Sequence, residues 1–427
     1  MQVSNSEFFQ TFGKIGLLSF GGPAGQIALM HKTLVDEKKW LDEKRFLHAL
    51  NFCMLLPGPE AMQLATYSGW LLKGVNGGLV AGSLFVLPGV FVLLGLSMLY
   101  IYLGDVPLVS GLLFGLKAAV LAIVLQALIK VSKRALKSWH SYVMAFCAFL
   151  ALAVFNIPFP LVILSAAIMG LVLPHIFAVE PDGTEAVTID APYRHVARVL
   201  VGAVFFWLLP LLVLVFYLAP GSVFAQEALF FSKAAVVTFG GAYAVLAYVG
   251  QQAVEVYGWL KPDEMLTGLG LAETTPGPLI LVLVFVGFVG AFRDAGFFDP
   301  LVSGLLGALV TVWVTFVPCF IWIFLGAPFL EAVRGNVRLA GGFAAITAAV
   351  VGVIANLSLW FALHVLFAEL SKTDFAGGKI ELPVLASLDW KAALIAGATA
   401  IFLARGGGLF TALICATGAG IGLTYWV

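Results

Sequence analysis

The chain has 427 residues, 61% of them hydrophobic and 11% charged, with a formal net charge of zero. A soluble domain carries about 25% charged residues, so a large soluble domain is excluded, and a neutral chain is not expected to bind nucleic acid. Cys53, Cys147, Cys319 and Cys415 lie in apolar segments without a CxxC spacing, so they read as small core residues and not as disulfides or a zinc site.

Residues 1–10 contain no basic stretch leading into a cleavable apolar run, so insertion is expected to depend on the spans themselves. The first apolar segment, 6–31, is interrupted by Gly21-Gly22-Pro23-Ala24-Gly25. The second, 43–73, is interrupted by Pro57-Gly58-Pro59. The loop 31–45 between them holds Lys32, Lys38, Lys39, Lys44 and Arg45. Spans are predicted over 76–103, 106–129, 140–157 and 159–178, since about 20 apolar residues cross a bilayer. The loop 130–140 carries Lys130, Lys133, Arg134 and Lys137 with no acid, which marks it as cytoplasmic. A polar linker, 179–195, leads to an unpaired helix over 196–219. Interrupted segments return at 225–252 and 262–290, followed by spans at 300–327, 338–368, 390–405 and 407–427. Proline removes a donor and glycine loosens a helix, so each interruption frees backbone groups inside the membrane. Such groups are tolerated only where protein or a water-filled cavity satisfies them. The sequence leaves open whether each interrupted segment crosses or re-enters.

The interruptions recur because the chain is duplicated. Phe20-Gly21-Gly22 returns as Phe239-Gly240-Gly241, Trp40-Leu41 as Trp259-Leu260, Pro57-Gly58-Pro59 as Pro276-Gly277-Pro278 and Lys14 as Lys233, each pair 219 residues apart. Further identities at Phe12, Ala28, Val35, Leu47, Leu50 and Leu64 keep this register without a gap. An insertion near 291–301 then shifts it, and Pro88 matches Pro318. The expected organisation is a repeat over 1–178, a linker and inverting helix over 179–224, and a second repeat over 225–427. One extra crossing between repeats with an even number of crossings turns the second upside down. Charge agrees: the counterpart of loop 31–45, at 250–264, holds only Lys261, and Asp42, Lys44 and Arg45 face Lys261, Asp263 and Glu264. The expected fold is an all-α polytopic membrane protein with two homologous repeats of inverted topology and broken or re-entrant helices, a design found in transporters.

The motifs point to an anion. Half-helices beginning after Gly22 and Pro59 would aim free N–H groups and a positive dipole end into the protein. Ser19, Thr238 and Thr275 would add hydroxyls beside them, and Gly21, Gly22, Gly58, Gly240, Gly241 and Gly277 would allow close backbone approach. Lys14 and Lys233 lie six residues before their Phe-Gly-Gly, and an intramembrane lysine is read first as functional; the plainer alternative is that Lys14 anchors its segment at the headgroups. Glu60, with Gln63 close behind it, either complements a helix N-terminus or acts as a protonatable gate. Its counterpart is Leu279, though Glu273 stands before the second break. Lys117 is a candidate substrate charge or a partner for Glu60, against the alternative of an interior ion pair. The six histidines have no metal-ligand spacing, and there is no P-loop or G-x-S-x-G. No enzyme, cofactor or metal is therefore expected.

The run Leu55-Leu56-Pro57-Gly58-Pro59-Glu60-Ala61-Met62-Gln63-Leu64-Ala65, with Ser19-Phe20-Gly21-Gly22-Pro23 before it and Thr275-Pro276-Gly277-Pro278 in the second half, resembles the chromate ion transporter family in its long two-domain form. The resemblance implies a multi-pass exporter of chromate, a sulfate mimic, in the bacterial inner membrane, conferring chromate resistance. Sulfate or another small anion, and an anion channel, are the alternative readings; a membrane scaffold or lipid enzyme lacks a catalytic constellation. The partners expected are chromate and sulfate and the lipid bilayer, with a homodimer left open.

Overall fold

A computed structural model of the chain describes residues 3–54, 56–177, 193–239, 242–326, 336–375 and 378–425. In chain order the helices are α1 (Asn5–Leu18), α2 (Gly22–His31), α3 (Glu43–Cys53), α4 (Glu60–Leu103), α5 (Pro107–Ala135), α6 (Trp139–Ala153), α7 (Phe159–Val172), α8 (Pro174–Phe177), α9 (Tyr193–Ala203), α10 (Leu209–Val213), α11 (Val223–Val237), α12 (Ala242–Gln251), α13 (Pro262–Thr274), α14 (Val282–Arg293), α15 (Pro300–Gly326), α16 (Val337–Leu366), α17 (Trp390–Ala404) and α18 (Leu409–Tyr425). Side-chain caps set several starts: Ser4, Asp42, Ser138, Ser222, Asn336 and Asp389 accept from N–H groups of the following turn. Gly74, at φ 63° and ψ −155°, divides α4 into a half-span before it and a full span after it.

Among the described residues five helices are long and apolar enough to cross a membrane: Glu60–Leu103, Pro107–Ala135, Arg194–Tyr217, Pro300–Gly326 and Val337–Leu366. Along Arg194–Tyr217 only 6% of the apolar window is buried, a surface that water would not tolerate and lipid would. The helices α6, α7, α17 and α18 are apolar but shorter than the spans the sequence predicts.

The described residues form two compact units, and neither is one sequence repeat. The first takes residues within Met1–Met98, Ala186–Val245 and Ala272–Val333; the second takes those within Leu99–Glu185, Leu246–Leu271 and Arg334–Val427. Each therefore mixes segments from both halves of the duplication.

In the first unit α14 packs along α15 through Gly287, Ala291 and Gly307, whose minimal side chains let the backbones meet. The interrupted segments of the first repeat prove to be re-entrant. Helix α1 has 14 residues and rises about 21 Å, short of the ~30 Å hydrocarbon layer. Beyond the end of α2, Lys38 returns to Glu7 at the start of α1, with Nζ 2.8 Å from Oε1. Trp40 stacks on Phe8. The two ends of segment 5–40 are thus on one side, and Gly21-Gly22 is at the tip. The second interrupted segment does the same. Helix α3 starts where Glu43 meets His31 at 2.6 Å, and the first half of α4 ends at Lys73, whose Nζ lies 2.6 Å from Asn5 Oδ1. Pro57-Gly58-Pro59 forms that second tip.

In the second unit α5 packs on α18 and α17, and α16 packs on α6 and α7. Gly115 against Ala416, Gly352 against Ala145 and Gly170 against Gly341 are backbone-to-backbone approaches where a Cβ would collide. The charged loop between α16 and α17 folds as a two-stranded antiparallel hairpin, β1 (Leu370–Phe375) and β2 (Gly378–Pro383), in register Leu370↔Pro383. Sequence reading sees this stretch only as a polar loop.

Candidate anion site

All four interruptions lie in the first unit. Ser19 ends α1 at φ −77° and ψ 70°, and Thr238 ends α11 at φ −78° and ψ 88°. The next residue folds back alike in each half: Phe20 N–H donates to Leu18 and Phe239 N–H to Val237. Equivalent residues thus take equivalent turns.

The turns are then joined crosswise. The Ser19 carbonyl accepts from Gly277 N–H and the Thr238 carbonyl accepts from Gly58 N–H, both at 2.9 Å. The residue before the Phe-Gly-Gly motif of each repeat is therefore bonded to the Pro-Gly-Pro tip of the other. Packing crosses in the same way. A Cβ on Gly58 would meet Cys319 Sγ on α15, while Gly277 lies against Gly89 and Phe85 on α4. Cys319 follows Pro318 as Gly89 follows Pro88, so the two contacts are related by the repeat. Gly21, Gly22, Gly58 and Gly277 all have positive φ, at 83°, 73°, 125° and 93°, which only glycine adopts freely.

Two buried glutamines brace the tips. Gln26 Nε2 donates to the Gly277 carbonyl at 2.6 Å and to the Ser19 carbonyl at 3.3 Å. Gln63 Nε2 donates to the Pro57 carbonyl at 2.7 Å. These carbonyl partners fix each amide so that its oxygen points away, and Gln26 Oε1 and Gln63 Oε1 are both buried without a partner among the described residues. Helix α2 starts at Gly22 behind Gly21 with no side-chain cap, and among the described residues added Cβ atoms at Gly21 and Gly22 would find nothing within 4 Å. An uncapped helix N-terminus facing unfilled space next to a polar tip is chemically suited to an anion.

The predicted hydroxyls behave differently from expectation. Ser19 Oγ donates to Ile15, Thr238 Oγ1 to Ala234 and Thr275 Oγ1 to Ala272, so all three protons are committed to their own helices. Ser19 and Thr238 serve the tips through their carbonyls. Lys14 and Lys233 are exposed on α1 and α11. Glu60 is half-buried in the first turn of α4, where the helix dipole favours a carboxylate. Glu273 is buried and accepts from Tyr243 Oη at 2.8 Å. Lys117 belongs to the second unit and pairs there with Asp263, Nζ to Oδ2 3.7 Å. Gly240 and Gly241 lie outside the described residues.

Sequence reasoning missed Gln26, whose counterpart is Val245 and which therefore has no echo in the repeat. The spacing of Tyr243 from Glu273 carries no signal, because the two meet only through the fold.

The chromate transporter model matches residues 6–171 and 225–423, once in each half of the chain. The chain belongs to the chromate transporter family. A chromate transport protein of Pseudomonas aeruginosa is 33% identical over 356 residues, covering 82% of this chain and 80% of its own. A probable chromate transport protein of Synechococcus elongatus is 28% identical, covering 83% of each chain. An uncharacterized transporter of Bacillus subtilis is 27% identical over 172 residues, which is 97% of its length and 39% of this chain. That relative is about the size of one repeat of this family member. No solved structure matches the chain.

Proposed function

We infer that this member of the chromate transporter family is a secondary transporter that exports chromate across the inner membrane and so confers resistance to it. It is not an enzyme in this reading, and needs no cofactor. The single observation that supports a site for the anion is the crossed pair of bonds, Ser19 to Gly277 and Thr238 to Gly58, beside the uncapped start of α2. The N–H groups there supply fixed positive dipole ends, and no side chain has to be desolvated to provide them.

Lys14 lies nine residues beyond the first residue of α1, about 14 Å along the helix at 1.5 Å per residue. That depth exceeds what a lysine bridges by snorkelling from the headgroups. An exposed ammonium there calls for water or a partner chain rather than lipid. In this reading Lys14 and Lys233 line the water-filled approach and draw the dianion inward. Glu60 stands as a gate, and Lys117 is an ion-paired group outside the tips. The repeats run over 1–178 and 225–427, with the 179–224 stretch inverting the second. Sulfate shares the tetrahedral shape and charge of chromate and is the competing cargo. A homodimer would offer a second copy to cover the lysine faces.

The test is uptake of radiolabelled chromate and sulfate into inverted membrane vesicles, with and without a pH gradient. Saturable chromate uptake, stimulated by a counter-ion or gradient, is expected. Unsaturable flux without stimulation would make the protein a channel. No flux above vesicles lacking the protein would end the transport reading.

A further inference from the structure

Glu227 is the acidic residue that the crossed tips do not explain. It lies on α11, five residues beyond the Ser222 cap, and is fully buried. Among the described residues neither Oε1 nor Oε2 has a hydrogen-bond partner. The wall opposite is made of small residues: a Cβ on Gly307 would come within 3.0 Å of Glu227 Oε2 and closer still to Ala291. Among the described residues no counter-ion pairs with it. Helices α10 and α15, which pack on α11, carry no charged residue. Helix α14 bears Arg293 at its last position, followed by Asp294, and it is Asp294 whose field reaches Glu227, with the same sign. Asp299 is engaged with Leu301 N–H at the start of α15. Tyr217 is exposed, and Lys233 on α11 itself is exposed on another face.

The fold does not require an acid here. The equivalent position in the first repeat is Phe8, buried against Trp40 and Phe12. An ionised carboxylate without a single hydrogen bond would be strongly disfavoured in such a place. Ionisable residues inside membrane proteins mark substrate and ion pathways or proton relays.

We propose that Glu227 is a proton-binding site of the transport cycle. The carboxyl holds a proton while α11, α14 and α15 are packed as described. When α11 and α15 part, the Asp294 end of the site admits water. The O–H bond of the acid then breaks, its proton leaves to water and the carboxylate stands hydrated until a proton returns. The second repeat alone carries this site. The proposal rests on the transport reading above for its consequence, but not for its chemistry.

The experiment compares the full-length wild type with Glu227→Gln, which keeps the shape and fixes the neutral form. Infrared spectra of the purified proteins are expected to show a protonated-carboxyl band at neutral pH that the variant lacks. In proteoliposomes, wild-type chromate flux is expected to vary with pH by up to about tenfold per unit, the limit for one proton, and the variant is expected to lose that dependence. Identical bands in the two proteins, or an unchanged pH profile, would overturn the proposal. If the wild type moves no chromate at any pH, the transport reading fails and the infrared band alone decides whether Glu227 holds a proton. If the variant does not fold, wild-type protein is treated with dicyclohexylcarbodiimide, which attacks protonated carboxyls in apolar surroundings, and mapped by mass spectrometry. Labelling of Glu227 that falls as pH rises supports the proposal, and no labelling at any pH overturns it.

Discussion

Replacing Gly58 by alanine puts the crossed architecture under a defined strain. At φ 125° an L-residue is held in a sparsely populated region, which costs on the order of 1–3 kcal/mol. The new Cβ would stand 2.9 Å from both Cys319 Sγ and Gln63 Nε2, and overpacking of this kind costs about 1–3 kcal/mol more. The sum is about 2–6 kcal/mol. Gly22→Ala is the internal control. Its φ is 73° and the space around it is empty, so only the left-handed penalty of about 1–2 kcal/mol applies. The assay is thermal inactivation of detergent-purified protein, read by size-exclusion fluorescence. Gly58→Ala should inactivate at a clearly lower temperature than Gly22→Ala. Adding Cys319→Ala to Gly58→Ala should recover part of the loss, since it removes the sulfur and leaves the backbone strain. Equal losses for the two glycine variants, together with no recovery from Cys319→Ala, would refute the packing account of the tip.

Lys14→Ala and Lys233→Ala should each weaken chromate affinity per folded molecule without lowering stability, because both side chains are exposed; Lys→Arg should retain part of the activity, keeping charge but changing geometry. Unchanged affinity in both alanine variants would remove the lysines from the path. His31, at the charged end of α2, has its pKa raised chiefly by the hydrogen bond it donates to Glu43, with Asp36 adding to it. A folded-state pKa above 6.5 means this contribution is full below about pH 6.5 and fades as pH rises through the folded value. The stability gap between wild type and His31→Gln, below about 1 kcal/mol for so exposed a pair, should therefore close with rising pH; a gap that widens would contradict the sign. Cysteines placed at Ala135 and Phe375 should label from opposite sides of the membrane, and labelling from one side would remove the inversion.

The tips were legible in the sequence because their signals are local. Pro57-Gly58-Pro59 and Gly21-Gly22-Pro23 break helices wherever they stand, and the 219-residue echo marks them as a set. Their joining was not legible. The bonds from Gly277 to Ser19 and from Gly58 to Thr238 are made by backbone groups far apart in the chain, and backbone groups leave no mark on residue choice. The same distance hid re-entrance, which shows only when Lys38 meets Glu7 and Lys73 meets Asn5. Ser19 and Thr238 were conspicuous in the sequence for their hydroxyls, whose protons the preceding helical turn takes. The repeats read cleanly as two halves along the chain, whereas the compact units interleave them, because each tip finds its partner in the other half. The hairpin at 370–383 was hidden by its charge, since Lys372 and Glu381 look like loop solvation until the register sets them opposite each other at 3.4 Å.

The most direct test of the central claim is an anomalous difference map, recorded near the chromium absorption edge from crystals of the purified protein soaked in chromate. The account predicts a peak in the open space at Gly21 and Gly22, within reach of the first N–H groups of α2 and beside the Ser19–Gly277 link. A single peak elsewhere on the protein, with that space unoccupied at saturating chromate, would contradict it.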